Sequence, residues 1–335
     1  MFARSRFVAA TPRRCRGHGG CLRRVDRAVR AAARTAKDYR MEIRKIIVAM
    51  DEDDVSTKAL EEAMPLARKV GAEIILTHVG ELYESYPHID MFAPEAAEAY
   101  AELLGSRHQA MRSQLAEIRE RHLGQGVEIS ISLIPGIPEK AIPAAEDELG
   151  ADLIVVGSHG RTGFRRLLSG SVSERIVRRS SKTVLVARNE NINLPYRRVL
   201  VATDFSPAAD AALETALQFA AKDAEITLFH SWELPSAASG TNPLLGKLAQ
   251  TIEAQSKKNL DEIVRRFEGD FVLRQDITYG HPAPLLRERA AESDLIALGS
   301  HGRKGVSRFV LGSVAELTVR HAPCSVLVAH GPEFA

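Results

Sequence analysis

The stretch Ala151–Val177, ADLIVVGSHGRTGFRRLLSGSVSERIV, decides the reading of this chain. It begins with an apolar run, Leu153–Val156, of the kind that forms a parallel strand buried on both faces. Gly157 and Gly160 flank Ser158 and His159, and after nine further residues Gly170-Ser171 opens a helical pattern. In that pattern Val172, Ile176 and Val177 fall on one face and Glu174, Arg175 and Arg178 on the other. Strand, glycine-rich loop and helix start follow one another. Glycine lets the backbone turn sharply and lets a ligand approach the main chain. The N–H groups at a helix N-terminus carry partial positive charge and suit a phosphate.

The same stretch returns as SDLIALGSHGRKGVSRFVLGSVAELTV, with Gly299, Gly302, Gly312 and Ser313 at identical spacing. The elements around it also recur. KIIVAM, Lys45–Met50, reads as a strand with Asp51 directly after it, and RVLVAT, Arg198–Thr203, as its copy with Asp204 after it. EIILTH and EITLFH are second strands, Ser56–Val70 and Ala208–Ala221 the helices before them. Glu95–Leu123 and Leu244–Phe267 are long helices, and Val127–Ile134 and Phe271–Ile277 third strands. Pro138–Leu149 and Pro284–Glu292 are short helices, Asp152–Val156 and Leu295–Leu298 fourth strands, and Ser171–Arg179 and Ser313–His321 the helices after the glycine loops. TVLVA and SVLVA close the two sets. A period this long is a duplicated domain rather than a solenoid. The expected division is a basic, disordered extension over 1–40, a first domain over 41–189, a short polar linker, and a second domain over 195–331.

Alternating strands and helices imply a parallel sheet covered on both faces, and so two tandem α/β domains. In such sheets ligands lie beyond the C-terminal strand ends, where strand order reverses. Asp51 and Asp204 fall at such ends, as do the two glycine loops. A carboxylate that can accept from ribose hydroxyls, near a cradle for phosphate, is a nucleotide-shaped arrangement.

Composition narrows the classes. Residues 1–40 carry 12 Lys and Arg against Asp26 and Asp38, a balance of +10; the whole chain's +2 leaves −8 for the rest, which disfavours a nucleic-acid partner. Cys15, Cys21 and Cys324 give neither a disulfide framework nor a metal knuckle, which fits a reducing, cytoplasmic setting. No apolar run approaches the roughly 18 residues that cross a bilayer. The first 40 residues resemble either an Arg-rich transit segment or a reading-frame extension upstream of Met41; the position of Met41 just before the first strand favours the second.

From about Arg44 to His330 the chain resembles the universal stress protein family. The resemblance rests on the family's ATP-binding signature, G-x2-G-x9-G-[ST], present as Gly157…Gly160…Gly170-Ser171 and Gly299…Gly302…Gly312-Ser313. VAMDEDD and VATDFSP supply the strand-end Asp. The resemblance implies a Rossmann-like, five-stranded parallel sheet of order 3-2-1-4-5 in each half, with ATP at the switch point. By the same resemblance Asp51 and Asp204 would hold the ribose, and Val79 and its counterpart Ser231 would line the adenine pocket together with Val156 and Leu298. The glycines, Ser171 and Ser313 would hold the phosphates, with Val172 and Val314 contributing main-chain contacts. The last strands of the halves would pair into an intramolecular pseudo-dimer, which leaves a further homodimer open.

Glu52, Asp53 and Asp54 near the first site would repel a triphosphate unless Mg²⁺ intervenes, with Arg161, Arg165 and Arg166 as the offsetting bases. No GxxxxGK[ST] loop, no GxGxxG after the first strand, no GxSxG and no HExxH occurs. No catalytic residue and no metal site is therefore assigned. His159 and His301 read as loop residues, His78 and His230 as satisfied histidines at strand ends. The expected function is ATP binding that switches an unidentified protein partner during stress, with hydrolysis at most slow. The competing expectation is a nucleotide-free scaffold.

Overall fold

A computed structural model describes residues 42–80, 94–158, 172–188, 194–234, 243–267, 271–301 and 311–331. The first half runs β1 (Lys45–Met50), α1 (Asp54–Val70), β2 (Glu73–Gly80), α2 (Pro94–Arg121), β3 (Ile129–Pro135), α3 (Pro138–Ala145), β4 (Leu153–Gly157), α4 (Val172–Arg179) and β5 (Thr183–Ala187). The second runs β6 (Tyr196–Ala202), α5 (Pro207–Phe219), β7 (Ala220–Trp232), α6 (Pro243–Arg266), β8 (Val272–Tyr279), α7 (Pro282–Arg289), β9 (Leu295–Gly299), α8 (Ser313–His321) and β10 (Ser325–Ala329). The basic 1–40 segment expected to be disordered lies outside the described residues.

All ten strands form one sheet of order β3-β2-β1-β4-β5-β10-β9-β6-β7-β8. Each half is thus a parallel Rossmann-like array of order 3-2-1-4-5. Successive residues of a strand point to opposite faces. Ile46 and Val48 enter a core with α1, α2, α5 and α6, while Ile47 enters the opposite core with α3, α4, α7 and α8. Both faces are covered, which is why the central strands read as unbroken apolar runs.

The halves join where β5 and β10 pair antiparallel, with Val184 opposite Val328, Leu185 opposite Leu327 and Val186 opposite Val326. All six are fully buried. Over one face of this seam, α4 and α8 exchange ion pairs in a two-fold pattern. Arg320 contacts Glu174 at 2.5 Å and Arg178 contacts Glu316 at 3.2 Å, and each Arg also meets the Glu of its own helix. On the other face the pattern is broken. The buried Glu62 carboxylate of α1 accepts from the Tyr196 hydroxyl and, at 2.9 Å, from Ser325 Oγ, both of the second half. The positions related to these three by the duplication carry Thr215, Ile43 and Thr183.

Two expectations need correcting. On α4, Ile176 and Val177 are buried as the amphipathic reading expects, but Val172 is 41% exposed and Glu174 is buried, against it. The cause is the Arg320 guanidinium from the other half, which gives Glu174 a partner at the seam. The helix expected to reach Ala221 stops at Phe219, and β7 starts at Ala220, well before Glu225. In the first half Gly71, at φ 76°, ends α1 in a left-handed turn with its N–H on the Ala67 carbonyl. The second half has no glycine there. Ala220 is extended and pairs with Tyr196, and a bulge then restores the register at Arg198–Glu225.

Candidate functional site

In each half, strands one and four are neighbours, and the residues after their C-terminal ends share one rim of the sheet. Asp51 stands there, exposed, its Oδ1 accepting the Glu52 N–H at 2.9 Å. The next turn belongs to the start of α1. Asp53 caps it by accepting the Ser56 N–H at 3.0 Å, and Ser56 Oγ donates to the carbonyls of Asp51 and Asp53, both at 2.8 Å. Of the acids expected to crowd a phosphate, Asp53 is therefore committed to the helix terminus. In the second half the half-buried Asp204 accepts the Ser206 N–H at 3.1 Å, and Ser206 Oγ caps α5 through the Ala209 N–H.

Gly157 and Gly299 end β4 and β9 and have a role that spacing does not disclose. A Cβ at Gly157 would lie 2.4 Å from the Val55 carbonyl oxygen and 2.6 Å from Val55 Cγ1. One at Gly299 would lie 2.9 Å from both Ala208 Cβ and the Ala209 nitrogen. These glycines admit the first turn of α1 or α5 against the strand end. On the side where a Cβ would stand, the space is taken up by the protein's own helix, which brings the Asp turn and the start of the loop together.

The loop after β9 is closed at its base. The Ser300 N–H donates to the Ala329 carbonyl, and the Gly312 N–H donates to the Ser300 carbonyl, both at 2.8 Å. Ser158 repeats the first contact, donating to Ala187 at 3.0 Å. The Gly312 amide, expected to be available to phosphate, is therefore used within the loop. The first turn of α8 follows directly, with Gly312 as its N-cap and no side chain capping it among the described residues. The N–H groups of Ser313 and Val314 belong to that turn, where helical geometry supplies no acceptor. Ser313 is exposed and Val314 half-buried. Gly160, Gly170, Ser171 and Gly302, together with His159, Arg161, Arg165 and Arg166, lie outside the described residues.

Val156 and Leu298 are 2% and 3% exposed, and the side chains expected to touch adenine are packed in the core. Val79 and Ser231 occupy equivalent half-buried positions, paired with Ile134 and Thr278. One residue before each, a histidine holds the end of strand one: His78 Nδ1 lies 2.9 Å from the Met50 carbonyl, and His230 Nδ1 2.8 Å from that of Thr203. A carbonyl only accepts, so Nδ1 carries the proton in both. The halves differ at the next residue. Phe205 adopts φ 65°, donates its N–H to Thr203 Oγ1 and sets its ring 4.4 Å from that of His230, where the first half has the exposed Glu52.

His330, immediately after β10, had been read only as an end point. Its imidazole is pushed down to about 4, first by burial and second by His301, against a hydrogen bond to the Val177 carbonyl that raises it. Arg188, after β5, does the equivalent for α8, donating to the carbonyls of Ala322 and Val319. The shared signal is position: each follows its half's last strand, and each secures the C-terminal turn of the other half's last helix. His301 Nδ1 lies 2.9 Å from Ser300 Oγ, and burial lowers its pKa.

The model of the universal stress protein family matches residues 42–188 and 195–330. A universal stress protein of Methanocaldococcus jannaschii is 31% identical over 145 residues, 43% of this chain and 82% of its own length. One from Mycobacterium tuberculosis is 30% identical over 183 residues, 53% of this chain and 62% of the mycobacterial protein, less than two thirds of it. Among solved structures, a universal stress protein from Archaeoglobus fulgidus superposes with a TM-score of 0.60 at 24% identity, covering 85% of this chain and 98% of that one; this speaks to the fold.

Proposed function

Because the chain belongs to the universal stress protein family, we propose that each half binds an adenine nucleotide, ATP foremost, and that occupancy governs the binding of a protein partner in the stress response. The halves are taken as 41–189 and 195–331. The base lies against the main chain of Val156 or Leu298 and beside Val79 or Ser231, the ribose on Asp51 or Asp204, and the phosphates at the glycine loop and the first turn of α4 or α8. The observation that carries this reading is the base of the second loop. With the Gly312 N–H on Ser300, the loop delivers the start of α8 to the same rim as Asp204. The first half carries the same signature in the same strand–loop–helix frame.

Mg²⁺ would arrive with the phosphates, since the described residues contain no group of three or more His, Cys, Asp or Glu able to hold a metal. No side chain is assigned as general base, so any hydrolysis would be slow and binding is the working event.

Calorimetric titration with ATP, with and without Mg²⁺, tests the reading. Two sites are expected in the wild type and one in each of Gly160→Asp and Gly302→Asp, where a carboxylate enters the cradle. Unchanged stoichiometry in both variants, or no binding to the wild type, would replace the switch with a nucleotide-free scaffold.

A further inference from the structure

The two halves share a fold, so a place where their side chains differ carries information. Such a place lies on the sheet face covered by the short helices. In the first half, α3 and α4 are bridged by Arg175 and Glu139, 3.0 Å apart, and Arg179 also donates to the Glu139 carbonyl. In the second half the positions equivalent to Glu139 and Arg175 are Ala283 on α7 and Leu317 on α8. The bridge is gone and a cavity of about 160 Å³ takes its place. Its floor is Ile296 of β9, fully buried, with Ala322, Ala283 and Leu317 as walls. Arg287 and His321 are the basic groups lining it, and both are solvent-exposed.

We infer that this cleft between α7 and α8 binds a small monocyclic carboxylate, ring inward between Ala283 and Leu317 and anion outward at Arg287. Size sets the first part. An apolar cavity of about 150 Å³ holds one benzene ring, and an empty one forfeits contacts on every side. Charge sets the second. Arg287 carries a fixed positive charge in a planar fork that matches a carboxylate. The site is separate from the nucleotide rim, because its residues come from the first two turns of α7 and the second half of α8 rather than from the strand ends. A larger, two-ring ligand exceeds the volume. A neutral ring of the same size leaves the arginine unused.

The experiment uses the full chain with labelled methyl groups, titrated with sodium benzoate and, separately, with benzamide. Saturable benzoate shifts are expected at Ile296, Ala283 and Leu317, with benzamide weaker. Arg287→Gln, an exposed substitution with little risk to folding, should weaken benzoate by about tenfold, the loss of one charge-assisted pair, and leave benzamide unchanged. Ala283→Glu with Leu317→Arg rebuilds the first half's bridge and should abolish the shifts while ATP stoichiometry stays as in the wild type. The inference is overturned by absence of a saturable shift, by equal affinity for benzoate and benzamide, by binding that survives the double substitution in a folded protein, or by saturation with an acidic aromatic peptide but not with benzoate.

Discussion

Replacing Gly157 or Gly299 by alanine tests the assignment of these glycines to helix packing, and the two should differ. At Gly157 the new methyl would sit 2.4 Å from the Val55 carbonyl oxygen and 2.6 Å from Val55 Cγ1. The main chain of α1 would have to retreat by about an ångström, because a backbone atom cannot rotate out of the way as a side-chain end can. At Gly299 the contacts are 2.9 Å, so the retreat is about half as far. Overpacking of this kind costs roughly 1–3 kcal/mol, and alanine returns about 0.5–1 kcal/mol in a strand by restricting the unfolded chain. Gly157→Ala should therefore lose about 1–2 kcal/mol net, and Gly299→Ala about 0–1 kcal/mol. Movement of α1 also drags Asp51, whose carbonyl is held by Ser56 Oγ at 2.8 Å, so nucleotide affinity should fall in the first half and be spared in the second. Urea unfolding at constant m-value reports the stability, and calorimetry the affinity. If Gly299→Ala proved the more damaging, or if both variants matched the wild type, the glycines would be serving some purpose other than admitting the helix.

Tyr196→Phe removes the hydroxyl from the buried Glu62 and leaves Ser325 as a donor; thermal unfolding should show a loss of about 1–3 kcal/mol, and none if the seam does not rely on this contact. His330 titrates near 4 in the folded protein and near its ordinary 6.5 when unfolded. The unfolded chain binds the extra proton between those values, so this group's contribution is complete above 6.5 and is lost as pH falls toward 4, by about 3 kcal/mol at most. His330→Asn should remove that dependence. Glu214 acts in the opposite sense. Burial first, and Asp210 second, raise it from 4.5 to about 7, so its contribution is complete below 4.5 and disappears as pH rises through 7. Glu214→Gln should leave stability falling more steeply on acidification than in the wild type, where the two slopes oppose one another between 4.5 and 6.5. Denaturant midpoints across pH 4–8 check both, and parallel curves for wild type and variants would reject them.

The apolar runs, the glycine spacing and the strand-end acids were legible in the sequence because each is a local signal with a fixed period. That sufficed for the ten strands described, in two matching sets, and for the sheet rim that Asp51 and Asp204 share with the glycine-loop starts. What was illegible depends on the partner across the seam. Glu174 looks like a solvent-facing residue on a helical wheel, and Arg320, 146 residues away, pairs with it where it is buried. The early start of β7 follows from a missing glycine, which a pattern reader passes over. At Gly157 the sequence offers the same letter whether a phosphate or a helix approaches; the 2.4 Å to Val55 separates the two. At Gly312 the amide expected to be available is donated to Ser300.

The seam shows how far the copies have diverged since duplication. Where the two-fold survives, in the crossed pairs Glu174–Arg320 and Glu316–Arg178, each half contributes the same chemistry, and Arg178, Glu316 and Arg320 stay partly exposed while Glu174 is buried. Where it fails, the groups are buried and the consequence is larger. Glu62 accepts from Tyr196 and Ser325 of the second half, where the related positions offer Ile43 and Thr183. A second copy of the first half could not replace the second half at this seam, because the carboxylate would meet one hydroxyl and an aliphatic chain, and an under-satisfied buried charge is strongly destabilising. Fusion in one chain holds Glu62 and Tyr196 together permanently. Freed from the need to be interchangeable, the halves could come to differ elsewhere too, in the turn after the strand-end Asp, where Phe205 stacks on His230, and in the cleft that Leu317 leaves open.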